Sequence, residues 1–494
     1  MIIINTKLDD VFHESEELIR LFLGMTPVRR EAENGEEVEY EITIDTEKKD
    51  GAWFASAFAH DRDIPVQKAS YDCIGEGELL DRRARSRAVK FALFRLMKLL
   101  LPDSYTPWGS LTGIRPTKLL YEYMSRGMSA EQAGKMLHEN YGVRQDKVDI
   151  LLDIERMQRG VRDTLPQNML DVYIGIPFCP SRCEYCSFAS CDVKKFGHLR
   201  DAYMDALLNE MQLMRQYMDN NDLHTGNLYI GGGTPTALED DQLLRLLEAC
   251  KDFVPASGEF TLEAGRPDTI TESKLLMARD HGVSRISINP QSMHDITLQR
   301  IGRRHMADEI EKSFALARSL GFDYINMDLI AGLTGETPEM FASSLDRVMA
   351  LSPENITVHT LSIKRSSILH ENLSKSERTA AQDVDDMVQH ARRVLKDGGW
   401  YPYYLYRQKY MSGNLENVGY AKEGTQCIYN VDVMEETHSN LAMGAGAITK
   451  WFDKEPYLIR RAANVKNVQE YIARSSEMAQ RKMDLAREMF PHHV

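Results

Sequence analysis

Short apolar runs rich in β-branched residues alternate with amphipathic runs through the middle of the chain. The strand-like runs are DVYIGI (171–176), NLYIGG (227–232), EFTLEA (259–264), SRISIN (284–289), YINMDLI (324–330) and NITVHTL (355–361). Helical spacing of apolar positions appears at 200–218, 241–253, 271–281 and 307–319. Because parallel neighbours need a crossover, which is usually helical, six strand-then-helix units predict an α/β fold with a parallel sheet. Six units are fewer than the eight of a closed barrel, so we expect an open, partial (β/α)6 barrel over residues 166–362.

The segments on either side of this repeat have a different pattern. Residues 37–45 alternate like a half-exposed strand, 51–59 are its expected partner, and 79–101 have helical periodicity. The C-terminal part contains a polar helical run at 380–396, an aromatic cluster, a glycine-rich region and a charged final helix. We therefore expect three domains: an N-terminal α+β domain (1–165), the partial barrel (166–362) and a mostly helical C-terminal domain (363–494).

Composition and charge argue against several classes of function. The 494 residues include 60 basic and 74 acidic side chains, and the net charge of −14 disfavours a nucleic-acid surface because phosphate binding needs excess Lys and Arg. The N-terminal apolar run has only four residues, and other apolar stretches are interrupted by charges before the roughly 18 residues of a membrane span. We expect a cytoplasmic monomer with no membrane or nucleic-acid partner. Thiols stay reduced in that compartment, so clustered cysteines indicate metal binding or catalysis.

Four of the seven cysteines lie within residues 173–191, YIGIPFCPSRCEYCSFASC. Cys179, Cys183 and Cys186 form a C-x3-C-x2-C pattern directly after the first barrel strand. Three thiolates on one loop can hold three corners of a [4Fe-4S] cluster and leave the fourth iron without a protein ligand. The alternative is a closed zinc site with Cys191 as fourth ligand, although structural zinc usually takes paired C-x2-C knuckles separated by a longer loop.

Glycines and polar residues mark the carboxyl ends of the later strands. The second strand ends in GGGTPT, where Gly231, Gly232 and Gly233 allow the backbone to approach a ligand closely and Thr234 adds a hydroxyl group. Four further polar residues belong to the third to fifth units: Glu263 ends the third strand, Gln291 follows the fourth, Asp328 lies inside the fifth, and Arg303 lies on the helix after Gln291. Because the carboxyl ends of parallel strands meet at one mouth, we expect these side chains to converge there.

The cysteine pattern after a first barrel strand, with an aromatic residue before the last cysteine (CEYC), resembles the radical S-adenosylmethionine (SAM) superfamily. The resemblance implies a [4Fe-4S] cluster whose open iron chelates the amino and carboxylate groups of SAM. It further implies reduction of the sulfonium to methionine and a 5′-deoxyadenosyl radical. Such chemistry needs a cluster of low reduction potential and a low-potential electron donor such as flavodoxin or ferredoxin.

A narrower resemblance, to the oxygen-independent coproporphyrinogen III oxidase family, rests on motifs that occur in order along the chain. They are YIGIPFC, GGGTPT, TLEAGRPD, NPQSM with GRR twelve residues beyond the Gln, and MDLIAGL. Three more segments resemble the HemZ-type subgroup, the coproporphyrinogen dehydrogenases: PWGSLTGIRPTKL, YYLYRQKYMSGNLENVGY and CIYNVDVMEE. The similarity covers most of residues 105–450.

This resemblance implies a role for each matching residue. It assigns the cluster to Cys179, Cys183 and Cys186, and the SAM amino group to the glycine stretch Gly231, Gly232 and Gly233. One SAM is assigned to Tyr173, Gly232 and Glu263. A second SAM is assigned to Tyr185, Gly233, Thr234, Gln291, Arg303 and Asp328.

The implied substrate is a tetrapyrrole, coproporphyrinogen III, two of whose propionate groups become vinyl groups in protoporphyrinogen IX. The radical removes a hydrogen from a propionate β-carbon, and loss of CO2 and one electron follows. Burying four carboxylates unpaired is costly, so cations must line the mouth. The candidate cations are Arg115, Arg266, Lys364, Arg365 and Arg407.

Two positions depart from the oxidases. The oxidases carry a fourth cysteine two residues after the third, where this chain has Phe188, and a His in YxHxPFC, where it has Gly175. Neither position ligates the cluster, but both lie where the family's reactive centre is expected. Two other functions therefore stay open: a haem-binding chaperone or trafficking protein, and a radical SAM enzyme that acts on haem. The long N-terminal region, which the chaperones lack, favours an enzyme.

Overall fold

The chain folds into two compact units. The computed structural model describes residues 1–24, 26–33, 36–60, 62–73, 77–113, 115–186, 191–362, 379–408, 414–454 and 458–490. The first unit comprises Met1–Leu152 with Gly413–Leu415, and the second comprises Asp153–Ser412 and Glu416–Val494. The division into three domains at residues 165 and 362 stays a prediction.

The first unit has one sheet and five helices. The strands are β1 (Ile2–Asn5), β2 (Val28–Arg29), β3 (Tyr40–Lys49), β4 (Ala52–Ala59) and β5 (Gln67–Asp72). The helices are α1 (Asp9–Leu23), α2 (Glu78–Leu100), α3 (Pro116–Met124), α4 (Ala130–Tyr141) and α5 (Gln145–Gln158), the last of which crosses the unit boundary. The strand order is β2-β1-β3-β4-β5. The predicted pairing is confirmed, because β3 and β4 are antiparallel neighbours that direct Ile42, Ile44 and Ala57 into the core.

The second unit contains the predicted strand-and-helix repeat. Its strands are β6 (Met169–Ile176), β7 (Phe178–Cys179), β8 (Cys191–Asp192), β9 (His224–Gly232), β10 (Phe260–Gly265), β11 (Arg285–Ile288), β12 (Tyr324–Ala331), β13 (Asn355–Thr360), β14 (Tyr401–Tyr406), β15 (Asn417–Ala421), β16 (Asn440–Met443), β17 (Ile448–Asp453) and β18 (Leu458–Ala463). Its helices are α6 (Val193–Phe196), α7 (Arg200–Asn220), α8 (Asp240–Cys250), α9 (Glu272–Asp280), α10 (Asp295–Arg300), α11 (Ala307–Ser319), α12 (Pro338–Leu351), α13 (Ala381–Asp397), α14 (Ile428–Glu435) and α15 (Val468–Met489).

Six parallel strands form the centre of an eleven-stranded sheet of order β14-β15-β13-β12-β11-β10-β9-β6-β16-β17-β18. The strands β6 and β9 to β13 are neighbours in chain order and all pair in parallel. The expected α/β class with an open, partial barrel is confirmed. Among its described residues the C-terminal region adds three helices and also five strands, which extend both edges of the sheet and which the sequence pattern did not indicate.

Alternation along the central strands separates a helix-facing side from a lumen-facing side. In β6, Val172, Ile174 and Ile176 are fully buried under the helices, and Tyr173 takes the opposite face. Because side chains alternate along a strand, the polar residues of the other central strands share the lumen face with Tyr173. Among the described helices, none is both long enough and apolar enough to cross a bilayer.

Candidate active site

A cavity of about 380 Å³ opens at the carboxyl ends of the central strands. It is lined by nearly every residue that the sequence predicts for the site: Tyr173, Cys179, Cys183, Tyr185, Cys186, Gly232, Gly233, Thr234, Glu263, Gln291, Arg303 and Asp328. The remaining one, Gly231, lies directly behind this wall, where an added Cβ would be 2.9 Å from the Glu263 carboxylate. The predicted convergence at one mouth therefore describes the fold correctly, and the roles of these residues as ligands stay predictions.

The three cysteines lie on a loop that is held against the barrel by its backbone. The short strands β7 and β8 pair in parallel, with Cys179 opposite Asp192. Between them the amide of Cys186 donates to the Cys183 carbonyl at 3.0 Å, and the amide of Glu184 donates to Ile301 at 3.2 Å. These bonds turn the loop so that its three thiols line the cavity.

Cys191, the fourth ligand of the zinc alternative, lies on β8, and its amide donates to the Pro177 carbonyl at 2.7 Å. It is not among the residues that line the cavity. In the described ranges no three His, Cys, Asp or Glu side chains are grouped to hold a single metal ion. Phe188, which replaces the fourth cysteine of the oxidases, lies outside the described residues.

The glycine stretch lies where the strand β9 crosses the cysteine loop. A Cβ at Gly233 would be 2.7 Å from the Phe178 carbonyl oxygen and 3.0 Å from the Cys179 sulfur, closer than side-chain atoms pack. The amide of Gly233 donates to the Ile176 carbonyl at 2.7 Å, and the hydroxyl of Thr234 lies 3.6 Å from the Cys179 sulfur. The glycines thus allow close contact between strand and loop, and they place a hydroxyl donor beside a thiol.

Glu263 ends β10 inside the lumen and is held by two donors. The Tyr229 hydroxyl donates to its Oε1 at 2.6 Å, and the Gly232 amide donates to its Oε2 at 3.2 Å. Burial raises the pKa of Glu263 to about 7, although the hydrogen bond from Tyr229 acts in the opposite direction. The carboxyl is therefore oriented, and it titrates near neutral pH.

Gln291 and Asp328 come together across neighbouring strands. Gln291 has a φ of +69°, in the left-handed region, and its backbone bonds with the residues around Leu329 as an isolated bridge. A non-glycine residue in that region costs about 1 kcal/mol or more, which the surrounding structure must offset. Burial alone would raise the pKa of Asp328, but donors at His359 and Asn326 hold it below its usual value. Asp328 is thus a half-buried anion at the mouth.

Arg303 brings a positive charge to the cavity. Its guanidinium donates to the Asn289 carbonyl and lies 3.4 Å from the Tyr185 hydroxyl. Burial disfavours the charge, yet the surrounding phenol and thiol groups raise the pKa of Arg303 above its usual value. The cavity therefore presents two carboxyl groups, Glu263 and Asp328, and one guanidinium that is not paired with a carboxylate among the described residues.

Three buried polar atoms in the cavity wall have no hydrogen-bond partner in the described part of the chain. They are Ser287 Oγ, Asn289 Oδ1 and Arg303 Nε. Buried polar groups are nearly always satisfied, because leaving one unpaired costs about 1–3 kcal/mol. Two donors and an acceptor on one wall are a chemical fit for a polar ligand.

Several lining residues escaped the sequence-based prediction. They are the polar and aromatic residues Tyr229, Asn289, Asn326, Thr357, His359, Tyr404 and Tyr406. His359 at the end of β13 lies 3.6 Å from the Asp328 carboxylate and 3.5 Å from the Tyr406 hydroxyl. The alternation of side chains along a strand could have identified several of these positions. Asn326 and Asp328 are two residues apart on β12, and Thr357 and His359 are two residues apart on β13, so each pair shares the lumen face.

Of the five cations predicted to bind the substrate carboxylates, Arg266 is the one described residue that lines the cavity. Its guanidinium is engaged by Asp268 at 3.0 Å and by Ser181 at 2.9 Å. Arg407 is buried outside the lining, and burial lowers its pKa to about 10. Arg115 belongs to the first unit, while Lys364 and Arg365 lie outside the described residues.

Gly175, at the position of the oxidases' histidine, has little room for a side chain. An added Cβ would be 3.3 Å from the Tyr173 ring and 3.4 Å from the Met443 carbonyl oxygen. The Tyr203 hydroxyl donates to the Gly175 carbonyl at 2.6 Å, which fixes the backbone there. The backbone at Gly175 therefore leaves little space for any side chain where the oxidases carry their histidine.

Residues 173–348 match the family model of the Radical SAM superfamily. Over 388 residues the chain is 39% identical to the oxygen-independent coproporphyrinogen-III oxidase-like protein HemZ of Bacillus subtilis (strain 168), covering 78% of this chain and 77% of that protein. It is 33% identical over 210 residues to the heme chaperone HemW of the same strain, covering 42% of this chain and 54% of HemW. The solved structure of the Escherichia coli coproporphyrinogen III oxidase HemN shares the fold with a TM-score of 0.53 and 24% identity, covering 66% of this chain and 72% of HemN.

Proposed function

The chain belongs to the radical SAM superfamily and, within it, to the HemZ group of the oxygen-independent coproporphyrinogen III oxidase family, and on this basis we propose that it converts propionate groups of coproporphyrinogen III to vinyl groups. Its cofactors are a [4Fe-4S] cluster and SAM, which follow from the superfamily. Each conversion releases one CO2 and removes one hydrogen atom and one electron from the substrate. Two conversions give protoporphyrinogen IX, a step of haem biosynthesis.

We assign the cluster to Cys179, Cys183 and Cys186. The support is that all three thiols line one cavity and that the donor set suits a cluster with one open iron. The Thr234 hydroxyl, 3.6 Å from the Cys179 sulfur, would donate to a thiolate there and stabilise its negative charge. When bound, the cluster and SAM supply the 5′-deoxyadenosyl radical that abstracts the hydrogen atom.

We assign SAM to the charged and polar groups that face the cluster loop. SAM carries a sulfonium, an amino group and a carboxylate, so it needs both anionic and cationic partners. Glu263 and Asp328 supply negative charge, and Arg303 supplies positive charge in the same cavity. The unsatisfied atoms of Ser287, Asn289 and Arg303 support the same assignment, because a polar ligand would complete their hydrogen bonds.

Aromatic rings close the lumen below this mouth. Tyr173 stacks on Tyr229 with ring centres 6.1 Å apart, and Tyr229 stacks on Tyr429 at 4.5 Å. Packed rings exclude water from the inner end of the cavity, which protects a reactive radical from side reactions. His359 and Tyr406 also line the cavity, and we propose that they contact the tetrapyrrole.

The observation that carries this proposal is the single cavity shared by the three thiols, the glycine turn, the carboxyl groups of Glu263 and Asp328 and the guanidinium of Arg303. A haem chaperone is the alternative, because HemW also matches part of the chain. The match to the HemZ relative extends over 78% of the chain at 39% identity, against 42% at 33% identity for the HemW of the same strain and 63% at 26% identity for that of Buchnera aphidicola, and this difference supports an enzyme. A low-potential flavodoxin or ferredoxin is the proposed electron donor.

The test is anaerobic turnover of the reconstituted chain with SAM, dithionite and coproporphyrinogen III. We expect mono- and divinyl products by liquid chromatography and mass spectrometry, with one CO2 per vinyl group. Cys183→Ala should abolish turnover, whereas Cys250→Ala, in the fully buried face of α8, should retain it. A parallel reaction with haem separates the alternatives: a linear tetrapyrrole would indicate haem opening, and stable haem binding without turnover would indicate a chaperone.

A further inference from the structure

A second cavity, of about 470 Å³, lies wholly within the first unit. Its walls come from one face of α2, the beginning of α3 and residues 110–113 between them. The segment belongs to SLTGIRPTK, a motif that the radical chemistry of the barrel leaves without a role. All described residues that line this cavity therefore belong to one compact unit, and the cavity is a candidate binding site.

The walls of this basic pocket carry far more positive than negative charge. Six of its lining residues are cations: Arg82, Arg83, Arg87, Lys90, Arg115 and Lys118. Two of the described lining residues, Glu14 and Glu122, are acidic. The chain as a whole has a net charge of −14, so this excess runs against the overall composition. Helical spacing produces it, because Arg83, Arg87 and Lys90 repeat at four and three residues along α2 and share one face.

One of the two carboxylates is already neutralised inside the protein. The carboxylate of Glu122 accepts hydrogen bonds from two guanidinium nitrogens of Arg87, at 2.7 and 3.0 Å. It also accepts a hydrogen bond from Arg126. Burial by itself would raise the pKa of Glu122, but these arginines hold it below its usual value. Arg87 is thereby committed to a structural pair, and Arg82 lies 3.6 Å from Asp10.

Two further cations, Arg83 and Lys90, lie on the wall of the pocket that α2 provides. In the described part of the chain no ion pair joins Arg83 or Lys90 to a carboxylate, and the Lys90 ammonium donates to the Thr112 hydroxyl at 3.0 Å. Arg115 and Lys118 approach from the other side, at the start of α3. The first turn of that helix contains no acidic residue, so its backbone amides add to the positive potential.

Apolar side chains form the rest of the wall. They are Phe91, Leu111, Pro116 and Leu119. A cation-rich rim around an apolar wall suits an organic anion better than a free inorganic ion, because the organic body buries apolar surface while its anionic groups pair at the rim.

We propose that the basic pocket of the first unit binds a small organic ligand with two or more oxyanion groups, separately from the barrel cavity. The oxyanion groups of such a ligand can be carboxylates or phosphates. The experiment below uses one probe of each kind to distinguish them. The proposal goes beyond the proposed function and does not depend on it, since binding here requires no cluster, SAM or reductant.

The test is equilibrium binding to the full-length chain at 50 mM salt, with coproporphyrin III as the carboxylate probe and ATP as the phosphate probe. We expect one probe to bind and to slow hydrogen exchange in peptides that cover α2 and α3. The double variant Lys90→Gln/Lys118→Gln should weaken that binding at least tenfold. Higher salt should weaken it further, because the contacts are partly exposed ion pairs.

The matched control is Lys135→Gln, which removes the same charge from α4 of the same unit, where Lys135 is exposed and lies 3.7 Å from Glu139. It should change the affinity less than twofold. Arg83→Gln, at an exposed position, provides a second test if the double variant unfolds. The proposal is wrong if neither probe binds at 1 mM, or if the affinity and the exchange pattern are unaffected by the pocket variants.

Discussion

The Tyr229 hydroxyl donates a 2.6 Å hydrogen bond to one oxygen of Glu263, whose other oxygen accepts the Gly232 amide at 3.2 Å. The bond joins the neighbouring strands β9 and β10 and fixes the direction of the carboxylate. It connects a residue that sequence reasoning identified with one that it missed. The orientation of Glu263 therefore depends on an aromatic residue with no motif of its own.

SAM binding should strengthen as the pH rises from 6 to 8. The pKa of Glu263 is raised to about 7, so the carboxyl is mostly protonated at the lower pH and mostly ionised at the higher one. A cationic ligand prefers the ionised form, and Glu263→Gln should weaken binding at pH 8 and abolish this pH dependence. Equilibrium dialysis with radiolabelled SAM at three pH values measures both effects.

The matched control is Glu336→Gln. Burial also raises the pKa of Glu336 to about 7, but this residue bonds with Ser292 and does not line the cavity. That variant should keep the wild-type pH dependence. An unchanged pH profile in Glu263→Gln would remove Glu263 from the SAM site.

Gly233→Ala should prevent cluster assembly. The added Cβ would be 2.7 Å from the Phe178 carbonyl oxygen and 3.0 Å from the Cys179 sulfur, so the cysteine loop would have to move. We expect iron content after anaerobic reconstitution to fall at least fivefold, with loss of the charge-transfer absorbance near 400 nm.

Gly321→Ala is the comparison for this variant. It adds the same methyl group, but into open space at a position with φ of +87°, so it strains the backbone without touching the loop. Its iron content should equal that of the wild type. Equal iron in both variants would show that the strand and the loop are not in the close contact described above.

The architecture was predictable from the sequence because each central strand and its following helix have different apolar periods. The runs ending at Ile176, Gly232 and Ile288 could be placed within one to three residues, since turn residues and helix starts surround them. The mouth could be predicted for the same reason: parallel strands bring their carboxyl ends together whatever their sequences.

The rest required three-dimensional information. The sequence analysis identified residues 401–406 as part of an aromatic cluster and did not predict the strand Tyr401–Tyr406. A continuous run of apolar residues fits a strand and a buried helix equally well. Tyr229 and His359 become site residues through partners 34 and 31 residues away, namely Glu263 and Asp328. Such pairings depend on strand register, which no local pattern specifies.

Lys482→Met should destabilise the second unit by about 3–5 kcal/mol. Lys482, on α15, bonds with Glu210 on α7, and both side chains are fully buried. Glu210 also accepts from Tyr471 and from the Gly444 amide at 2.9 Å, so removing the lysine leaves a buried carboxylate without its counter-ion. Urea unfolding followed by circular dichroism measures the change in the free energy of unfolding.

Lys454→Met is the control, because its ion pair with Asp163 at 3.0 Å is largely exposed. An exposed pair contributes about 1 kcal/mol or less, so the midpoint should barely move. The double variant Lys482→Met/Glu210→Gln should recover part of the lost stability. If Lys482→Met were no more harmful than Lys454→Met, the buried pair would not join the two helices in solution.

The most direct test of the central claim is the metal content of the chain, purified without oxygen and reconstituted with iron and sulfide. We predict about four iron and four acid-labile sulfide per chain, with iron lost in alanine variants of Cys179, Cys183 or Cys186 and retained in Cys191→Ala. One zinc per chain without iron or sulfide, together with metal loss in Cys191→Ala, would contradict the account.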